Sequence, residues 1–402
     1  ISKIIILNSY IIVWEQRKLG DVLSKFDYGL NSASSDYDGK NKYLRITDID
    51  EQTHRFNLDN LTSPKVDLKN KDNYILHPGD IVFARTGASV GKTYKYREDD
   101  GRVYFAGFLI RGTINKNFDT SFIFDTTLLP KYSNFVEITS IRSGQPGINS
   151  DEYKKYVINI PTINEQNYIS KLITNLEELI TLQQRKEKQI KLLKKAMLQT
   201  LFTTKTVPQL RFKGFTDNWE QHKLNSFLVE YKKKTKINNQ YPVLTSSRQG
   251  IFFQKDYYDG NQIASKNNIG YNIVPRNYFT YRHMSDDTIF HFNINTLCDY
   301  GIVSTLYPVF TTNNQLSSSW LYYYLNYGND MKRYALLQKQ GGSRTYMYLS
   351  KLKNMSGHIP SVKEQDNVAK MLLKIDNLIA LQQNKTKKLE NLKQFLLQNM
   401  FI

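Results

Sequence analysis

The chain has 402 residues, of which 40% are hydrophobic and 13% aromatic. This is enough for two or more packed domains, and it excludes a disordered protein. The net charge of +18 favours a polyanionic partner, with nucleic acid ahead of a membrane surface, although a basic surface without a specific role is the alternative. The single cysteine, Cys298, excludes a disulfide framework or a cysteine-based zinc site within one chain, so we expect a cytoplasmic location.

Residues 1–13 contain two apolar runs that are too short to cross a bilayer and lack a cleavage site. No later run is long enough, so we expect no membrane partner. The chain does not begin with Met, and its true N-terminus is therefore left open.

The first 160 residues contain short β-branched and aromatic stretches separated by turn residues, which predict strands. The pattern also favours short helices at residues 122–135 and, later in the chain, 320–327. We therefore predict an α+β fold. The predicted strands are residues 43–49, 80–85, 103–110 and 156–160.

Residues 87–93 contain glycines at a spacing that is similar to that of a nucleotide-binding loop. Only three residues separate Gly87 from Gly91-Lys92, one fewer than a Walker loop needs. The corresponding residues 283–286 of the second half contain no glycine. A nucleotide site is therefore the less favoured alternative, and we expect the loop to approach DNA.

Two further loops, at residues 143–149 and 341–346, combine glycine with Arg, Gln or Lys. Glycine lets the backbone approach a ligand closely, and Arg and Gln are the side chains that recognise guanine and adenine edges. A DNA-facing role is our interpretation, and an ordinary turn is the alternative. The candidate DNA-binding residues are Arg45, Arg85, Lys92, Arg142, Gln145, Arg248, Arg282, His283, Lys339 and Arg344.

The longest predicted elements are two uninterrupted helices at residues 164–202 and 363–401, each roughly 58 Å long. Apolar residues recur at heptad-like spacing, which predicts an antiparallel coiled coil between them. Gln183 and Gln382 lie at the two midpoints and would fix the register, unless Gln183 faces solvent. The predicted apolar positions are Leu172, Leu176, Leu179, Ile190, Leu193 and Met197, then Met371, Ile375, Leu378, Leu389, Leu392 and Leu396, with Lys186 and Lys385 beside the glutamines.

The two helices belong to an internal duplication. Pro161 matches Pro360 at an offset of 199, and Trp14-Glu15-Gln16 returns as Trp219-Glu220-Gln221. The helices are more alike than the globular parts, so we infer that the globular parts were selected to differ. The predicted domains are residues 1–155 and 206–355, each followed by a long helix at 156–205 or 356–402.

No catalytic motif is evident. The six histidines lack metal-ligand spacing, and the loop that amino-methyltransferases use is missing, as are a dinucleotide fingerprint and helicase motifs. We expect no catalytic centre, metal site or cofactor in this chain.

The residues resemble the specificity subunits of type I restriction-modification systems. The resemblance rests on the two Trp-Glu-Gln-x-Lys-Leu segments, the Ile-Pro-x-x-x-Glu-Gln segments at Ile160 and Ile359, the Gly-Gln-Pro-Gly turn at Gly144 and residues 210–215. It implies two target recognition domains, each contacting one half of a bipartite site on double-stranded DNA, and a helical pair that sets the spacer and docks the methyltransferase subunits. It also implies two methyltransferase subunits and two restriction or translocase subunits as partners, which would hold AdoMet, ATP and Mg²⁺.

The sequence departs from this pattern in two places. Residues 1–13 do not match residues 207–218, and the second half lacks Gly-Gln-Pro-Gly. A protein-interaction scaffold with two binding domains on a helical rod is the alternative function, and an enzyme in its own right is a third.

Overall fold

The computed structural model describes residues 14–203, 205–260, 267–339 and 343–401. The chain divides into two compact units. The first contains the residues up to Gln183 together with Lys385 onwards, and the second contains Gln184 to Asn384. Each unit therefore includes part of both long helices.

The first unit is built on a four-stranded antiparallel sheet with the order β2-β9-β6-β7. A separate pair, β1 and β10, joins the start of the globular part to its end, with Glu15 opposite Ile160. Its strands are β1 (Glu15–Lys18), β2 (Leu23–Tyr28), β3 (Ser34–Asp36), β4 (Lys42–Leu44), β5 (Thr62–Pro64), β6 (Asp80–Ala84), β7 (Thr93–Lys95), β8 (Val103–Phe105), β9 (Leu109–Ile114) and β10 (Val157–Ile160).

Short helices cover this sheet before the long helix begins. Phe83 and Ile110 of the sheet pack against Phe122 in one core cluster, which also takes in Ile169 of the long helix. The helices are α1 (Leu19–Val22), α2 (Thr120–Thr126), α3 (Pro130–Thr139), α4 (Ser150–Tyr153) and α5 (Ile163–Leu201).

The second unit repeats this plan. Its four-stranded sheet has the order β12-β20-β16-β18, and β11 pairs with β22 as β1 pairs with β10. The strands are β11 (Glu220–Lys223), β12 (Leu228–Glu230), β13 (Leu244–Ser247), β14 (Gly250–Phe253), β15 (Asn272–Pro275), β16 (Phe279–Thr280), β17 (Met284–Ser285), β18 (Asn293–Ile294), β19 (Tyr300–Val303), β20 (Val309–Thr312), β21 (Thr345–Tyr346) and β22 (Ser356–Ile359). The helices are α6 (Gln254–Tyr257), α7 (Ser318–Tyr327), α8 (Asn329–Leu337), α9 (Leu349–Asn354) and α10 (Val362–Met400).

Several predicted boundaries differ from those observed. The single strand predicted at residues 103–110 is two strands, β8 and β9, separated by a turn. The helix predicted at 122–135 is broken into α2 and α3, because Pro130 cannot continue α2 and instead begins α3. The strand predicted at 43–49 ends at Leu44, and a short 3₁₀ helix follows at Ile46–Asp48.

The repeated Glu-Gln pair anchors the start of each long helix. The Gln166 side chain donates to the Pro161 carbonyl over 2.9 Å and accepts from the backbone N–H of Asp119, which precedes α2. Gln365 makes the same two contacts with Pro360 and Ser317, which precedes α7. One buried amide thus ties the long helix to the short helix above it in each unit, which explains why the motif recurs.

The glutamates beside them have different partners. Glu165 accepts a hydrogen bond from the indole N–H of Trp14 at 3.2 Å. Glu364 instead receives two hydrogen bonds from Arg211, at 2.7 and 2.8 Å, within a buried ion pair. Arg211 belongs to residues 210–215, for which the first half of the sequence has no counterpart.

Within each unit, segments of α5 and α10 pack in opposite directions. In the first unit Glu177 forms an ion pair with Lys393 at 2.7 Å, and Ile169 lies in the cluster against which Met400 and Phe401 pack. In the second unit Lys194 forms an ion pair with Asp376. Since Asp376 and Lys393 are the repeat equivalents of Glu177 and Lys194 at an offset of 199, the two ion pairs are the same contact made twice.

The predicted heptad positions are partly wrong. Leu172, Leu179 and Leu193 are 44%, 48% and 56% exposed, and Leu378 and Leu392 are also exposed. The buried face instead follows a 4-3 spacing that shares only some of the predicted positions: Ile169, Ile173, Leu176, Ile180, Leu198 and Leu201 in α5, and Val368, Leu372 and Ile375 in α10. Lys186 and Lys385 point to solvent, whereas Gln183 and Gln382 lie half-buried on this face.

Candidate nucleic-acid interface

Arg85 directly follows β6, an interior strand of the first sheet. Its backbone N–H donates to the Phe108 carbonyl at 3.0 Å, and its own carbonyl accepts from Ile148 N–H at 2.9 Å. Its guanidinium lies over the ring of Tyr28, 4.9 Å from the centroid. No carboxylate among the described residues pairs with it, so its N–H donors are available to a ligand.

Arg85 borders an open groove of about 750 Å³ on the first unit. Phe108, which is 60% exposed, lies on its rim. Phe108 was missed by the sequence analysis, because a single exposed aromatic residue gives no periodic signal. The groove is lined by Tyr28, Asn31, Ser34, Tyr43, Arg45, Arg85 and Phe108, among others.

Arg45 shares this groove but is already held by a carboxylate. Its Nε and Nη2 donate to the two oxygens of Asp48, both at 2.8 Å, and these hydrogen bonds raise the pKa of Arg45. Its Nη1 is left facing Ser34 at 3.4 Å. Arg45 can thus add positive potential and one hydrogen bond, but its paired donors are in use.

The loops beside Arg85 carry the other predicted residues of the first unit. Lys92 Nζ lies 3.8 Å from Glu51 Oε2, which is a long distance for an ion pair. Arg142 Nη2 donates hydrogen bonds to both carboxylate oxygens of Glu152, at 2.6 Å each. Gln145 is exposed, and its amide lies next to Gly87, whose φ of +69° suits glycine.

The Gly-Gln-Pro-Gly turn is joined to the end of β6 by backbone contacts. Thr86 forms a bridge with Gly147, and Gly87 N–H donates to the Pro146 carbonyl at 2.9 Å. Arg85 and Gln145 are thereby brought onto neighbouring segments of the first unit. The sequence analysis predicted both residues but not their proximity.

In the second unit two predicted arginines are paired with aspartates. Arg248 donates to both oxygens of Asp287, at 2.7 and 2.5 Å, and this holds the pKa of Asp287 well below its usual range. Arg344 donates to Asp286 at 3.2 Å. Both pairs are exposed, so they can exchange a carboxylate for a phosphate at modest cost.

Arg282 is the second residue after β16, and it is exposed. Neither a carboxylate nor an aromatic ring holds its guanidinium in the described part of the chain. The adjacent His283 stacks on Tyr348 with centroids 5.0 Å apart, and its Nδ1 contacts the Leu306 carbonyl. Lys339 is exposed just after α8, while the predicted residues 340–342 lie outside the described residues.

A basic groove on the second unit coincides with residues 231–236. Lys233 lies 5.9 Å from the Tyr231 ring, and Tyr241 packs against Tyr300. Lysine ammonium groups beside aromatic rings suit sequence-independent attraction of a phosphate backbone.

The described residues contain no group of three His, Cys, Asp or Glu side chains that could hold a metal ion. None of the helices in that part of the chain has the length and apolar content that a bilayer crossing requires.

Residues 12–192 match the family described as the type I restriction modification DNA specificity domain. The chain thus contains a type I restriction-modification DNA specificity domain. It is 23% identical over 407 residues to a Methanocaldococcus jannaschii protein assigned as the type I restriction enzyme MjaX specificity subunit, covering 95% of this chain and 91% of that one. It is 20% identical to the MjaVIII specificity subunit of the same organism, covering 95% and 90%.

Two solved structures share the fold of this chain. The S subunit of a type I restriction-modification system from M. genitalium superposes with a TM-score of 0.61 at 12% identity, covering 98% of both chains. A chain from a structure of a type I R-M system, concerning its complex assembly and conformational transition, superposes with a TM-score of 0.52 at 16% identity, covering 97% of this chain and 98% of that chain. The resemblance predicted from the sequence is confirmed.

Proposed function

We propose that this specificity subunit recognises a bipartite, asymmetric site on double-stranded DNA, with residues 1–155 contacting one half and residues 206–355 the other. The observation that carries the proposal is a repeated topology with unlike surfaces. In both units an arginine follows an interior strand within two residues, yet the next residues are Thr86-Gly87 in one and His283-Met284 in the other. Unlike surfaces on one plan suit two different half-sites.

The long helices act as the spacer ruler in this proposal. Ion pairs Glu177–Lys393 and Lys194–Asp376 support an antiparallel pairing of α5 with α10, each within its own unit. Gln183 and Gln382 are half-buried polar positions on the packed faces, and such positions favour one register over its neighbours. We assign them the register role.

The subunit assembles, in this proposal, with two methyltransferase subunits, which dock on the long helices, and with two restriction or translocase subunits. Recognition is its contribution, and it has no catalytic centre of its own. AdoMet, ATP and Mg²⁺ belong to the partners. Incubation of the isolated chain with labelled AdoMet and DNA should give no methyl transfer, whereas transfer by the isolated chain would support an enzyme instead.

A domain exchange tests the modular recognition. Replacing residues 206–355 with the corresponding domain of another specificity subunit should change one half-site of the methylated sequence and leave the other intact. Genome-wide mapping of methylated adenine in a host carrying the system provides the measurement. A change in both half-sites would reject modular recognition, and the absence of any sequence preference would favour a protein-interaction scaffold.

A length change tests the ruler. Inserting one heptad after Gln183 and one after Gln382 adds about 10 Å to each helix while preserving its packed face. The spacer between the half-sites should lengthen, and both half-sites should stay the same. An unchanged spacer in an assembled complex would reject the ruler.

A further inference from the structure

The arginines among the candidate DNA-binding residues fall into two classes, according to whether a carboxylate pairs with the guanidinium. Four arginines donate to a carboxylate: Arg45 to Asp48, Arg142 to Glu152, Arg248 to Asp287 and Arg344 to Asp286. Arg85 and Arg282 have no carboxylate partner among the described residues. Specific recognition of guanine by arginine uses two parallel N–H donors on O6 and N7, and a guanidinium held by a carboxylate has those donors occupied.

The two unpaired arginines lie at the same end of equivalent strands, but their positions are not equivalent. Arg85 is the first residue after β6 and Arg282 is the second after β16, and each strand is the third in its four-stranded sheet. The counterpart of Arg85 is His283, because the Arg85 carbonyl accepts from Ile148 N–H and the His283 carbonyl accepts from Met347 N–H. Each unit thus has an unpaired arginine beside this strand end, one position apart.

Both arginines extend from a fixed backbone. Arg85 is held between the Phe108 carbonyl and Ile148 N–H. Arg282 lies between Tyr281, whose hydroxyl donates to the Met347 carbonyl at 2.8 Å, and His283, whose carbonyl accepts from Met347 N–H at 2.7 Å. A rigid base limits the positions that the guanidinium can reach, which base recognition needs and phosphate attraction does not.

The surroundings of Arg85 suit a base edge. Tyr28 supports the guanidinium from one side at 4.9 Å, so the plane of the side chain is oriented before binding. The groove of about 750 Å³ leaves room in front of it, with Phe108 exposed on the rim. An exposed ring at this position can contact a thymine methyl group or a deoxyribose.

We propose that Arg85 and Arg282 are the specificity-determining arginines of this subunit, each recognising the guanine of one G·C pair in its own half-site. The inference rests on the proposed function, since it assigns the residue within each recognition domain that contacts a base. The paired arginines then contribute positive potential and position the protein on the phosphates.

Selection from a randomised pool of DNA duplexes tests this, using the full chain assembled with the methyltransferase subunits of its own system. Arg85→Gln should lower the preference for guanine at one position of one half-site by about 5- to 150-fold, as expected for loss of one bidentate contact. Arg282→Gln should do the same at one position of the other half-site. The untouched half-site reports in each case that the variant is folded.

Arg142→Gln and Arg344→Gln are the matched controls, since each removes an arginine that is paired with a carboxylate. They should leave the preferred bases unchanged. If Arg85→Gln and Arg282→Gln keep every base preference, or weaken binding equally for all sequences, the inference is overturned while bipartite recognition stands. If the wild-type complex selects no bipartite sequence, the proposed function itself fails.

Discussion

The buried ion pair between Arg211 and Glu364 gives a quantitative prediction. The Arg211 and Glu364 side chains are only 12% and 2% exposed, and their two hydrogen bonds measure 2.7 and 2.8 Å. Replacing Arg211 with Met leaves a buried carboxylate without a charged partner, which costs about 3–5 kcal/mol. For a unit of this size, each kcal/mol corresponds to roughly 2–4 °C, so the unfolding midpoint of the second unit should fall by about 6–20 °C.

Differential scanning calorimetry of the full chain measures this change. Glu364→Gln should also destabilise the second unit, because it leaves a guanidinium unpaired. The matched control is Glu165→Gln, since Glu165 is the repeat equivalent but contacts the neutral Trp14 indole and has no cationic partner among the described residues. That variant should cost less than about 1.5 kcal/mol.

Two more variants separate burial from simple charge loss. The double variant Arg211→Met/Glu364→Gln removes both charges and should recover much of the lost stability. Arg276→Met breaks an ion pair with Asp299 in which the side chains are 45% and 84% exposed, and it should cost no more than about 1 kcal/mol. If Arg211→Met were no more harmful than Arg276→Met, burial would not be the source of the effect.

Three further predictions follow from the repeated contacts and the charge. Gln166→Ala and Gln365→Ala each leave two buried backbone groups unsatisfied, so each should cost about 2–5 kcal/mol in urea unfolding, with little loss in the exposed Gln189→Ala control. Burial alone would raise the pKa of Glu177, but Lys393 and Arg97 outweigh this effect and hold the pKa below 4.5. The ion pair therefore stabilises the fold above about pH 4.5, and this stabilisation is lost as the pH falls. The wild-type protein should lose more stability than Glu177→Gln between about pH 5 and 3. The logarithm of the DNA association constant should fall linearly with the logarithm of salt concentration, and Lys233→Gln should reduce that slope by about 1 without changing the preferred bases.

The duplication made much of the architecture predictable. The constant offset of 199 identified two long helices, and the structure has them at Ile163–Leu201 and Val362–Met400, each within one residue of the predicted start and end. The α+β class also followed from the alternation of short strands and turns. Individual boundaries in the globular parts were less accurate, because the Pro130 break and the turn between β8 and β9 interrupt patterns that look continuous in the sequence.

The packed face of the long helices could not be assigned from apolar residues alone. Leu172 and Ile173 are adjacent, as are Leu179 and Ile180, so two overlapping heptad frames fit the sequence equally well. The isoleucines face inward, and the leucines are 44% and 48% exposed. Exposed leucines on an otherwise polar face are unfavourable for an isolated rod, which agrees with the proposal that partner subunits dock along these helices.

The carboxylate partners of the candidate DNA-binding residues could not be predicted from the sequence. All ten DNA-binding candidates were chosen by residue type and by position after strands or in loops, and nothing in the sequence could say which of them carry a neighbouring carboxylate. Arg45 and Asp48 are close in sequence, but Arg142 and Glu152 are ten residues apart and Arg248 and Asp287 thirty-nine. Only the fold brings those groups together, so only the fold separates Arg85 and Arg282 from the other arginines. The distinction between attracting DNA and recognising its sequence therefore depends on tertiary structure here, although the positive charge itself is plain from the composition.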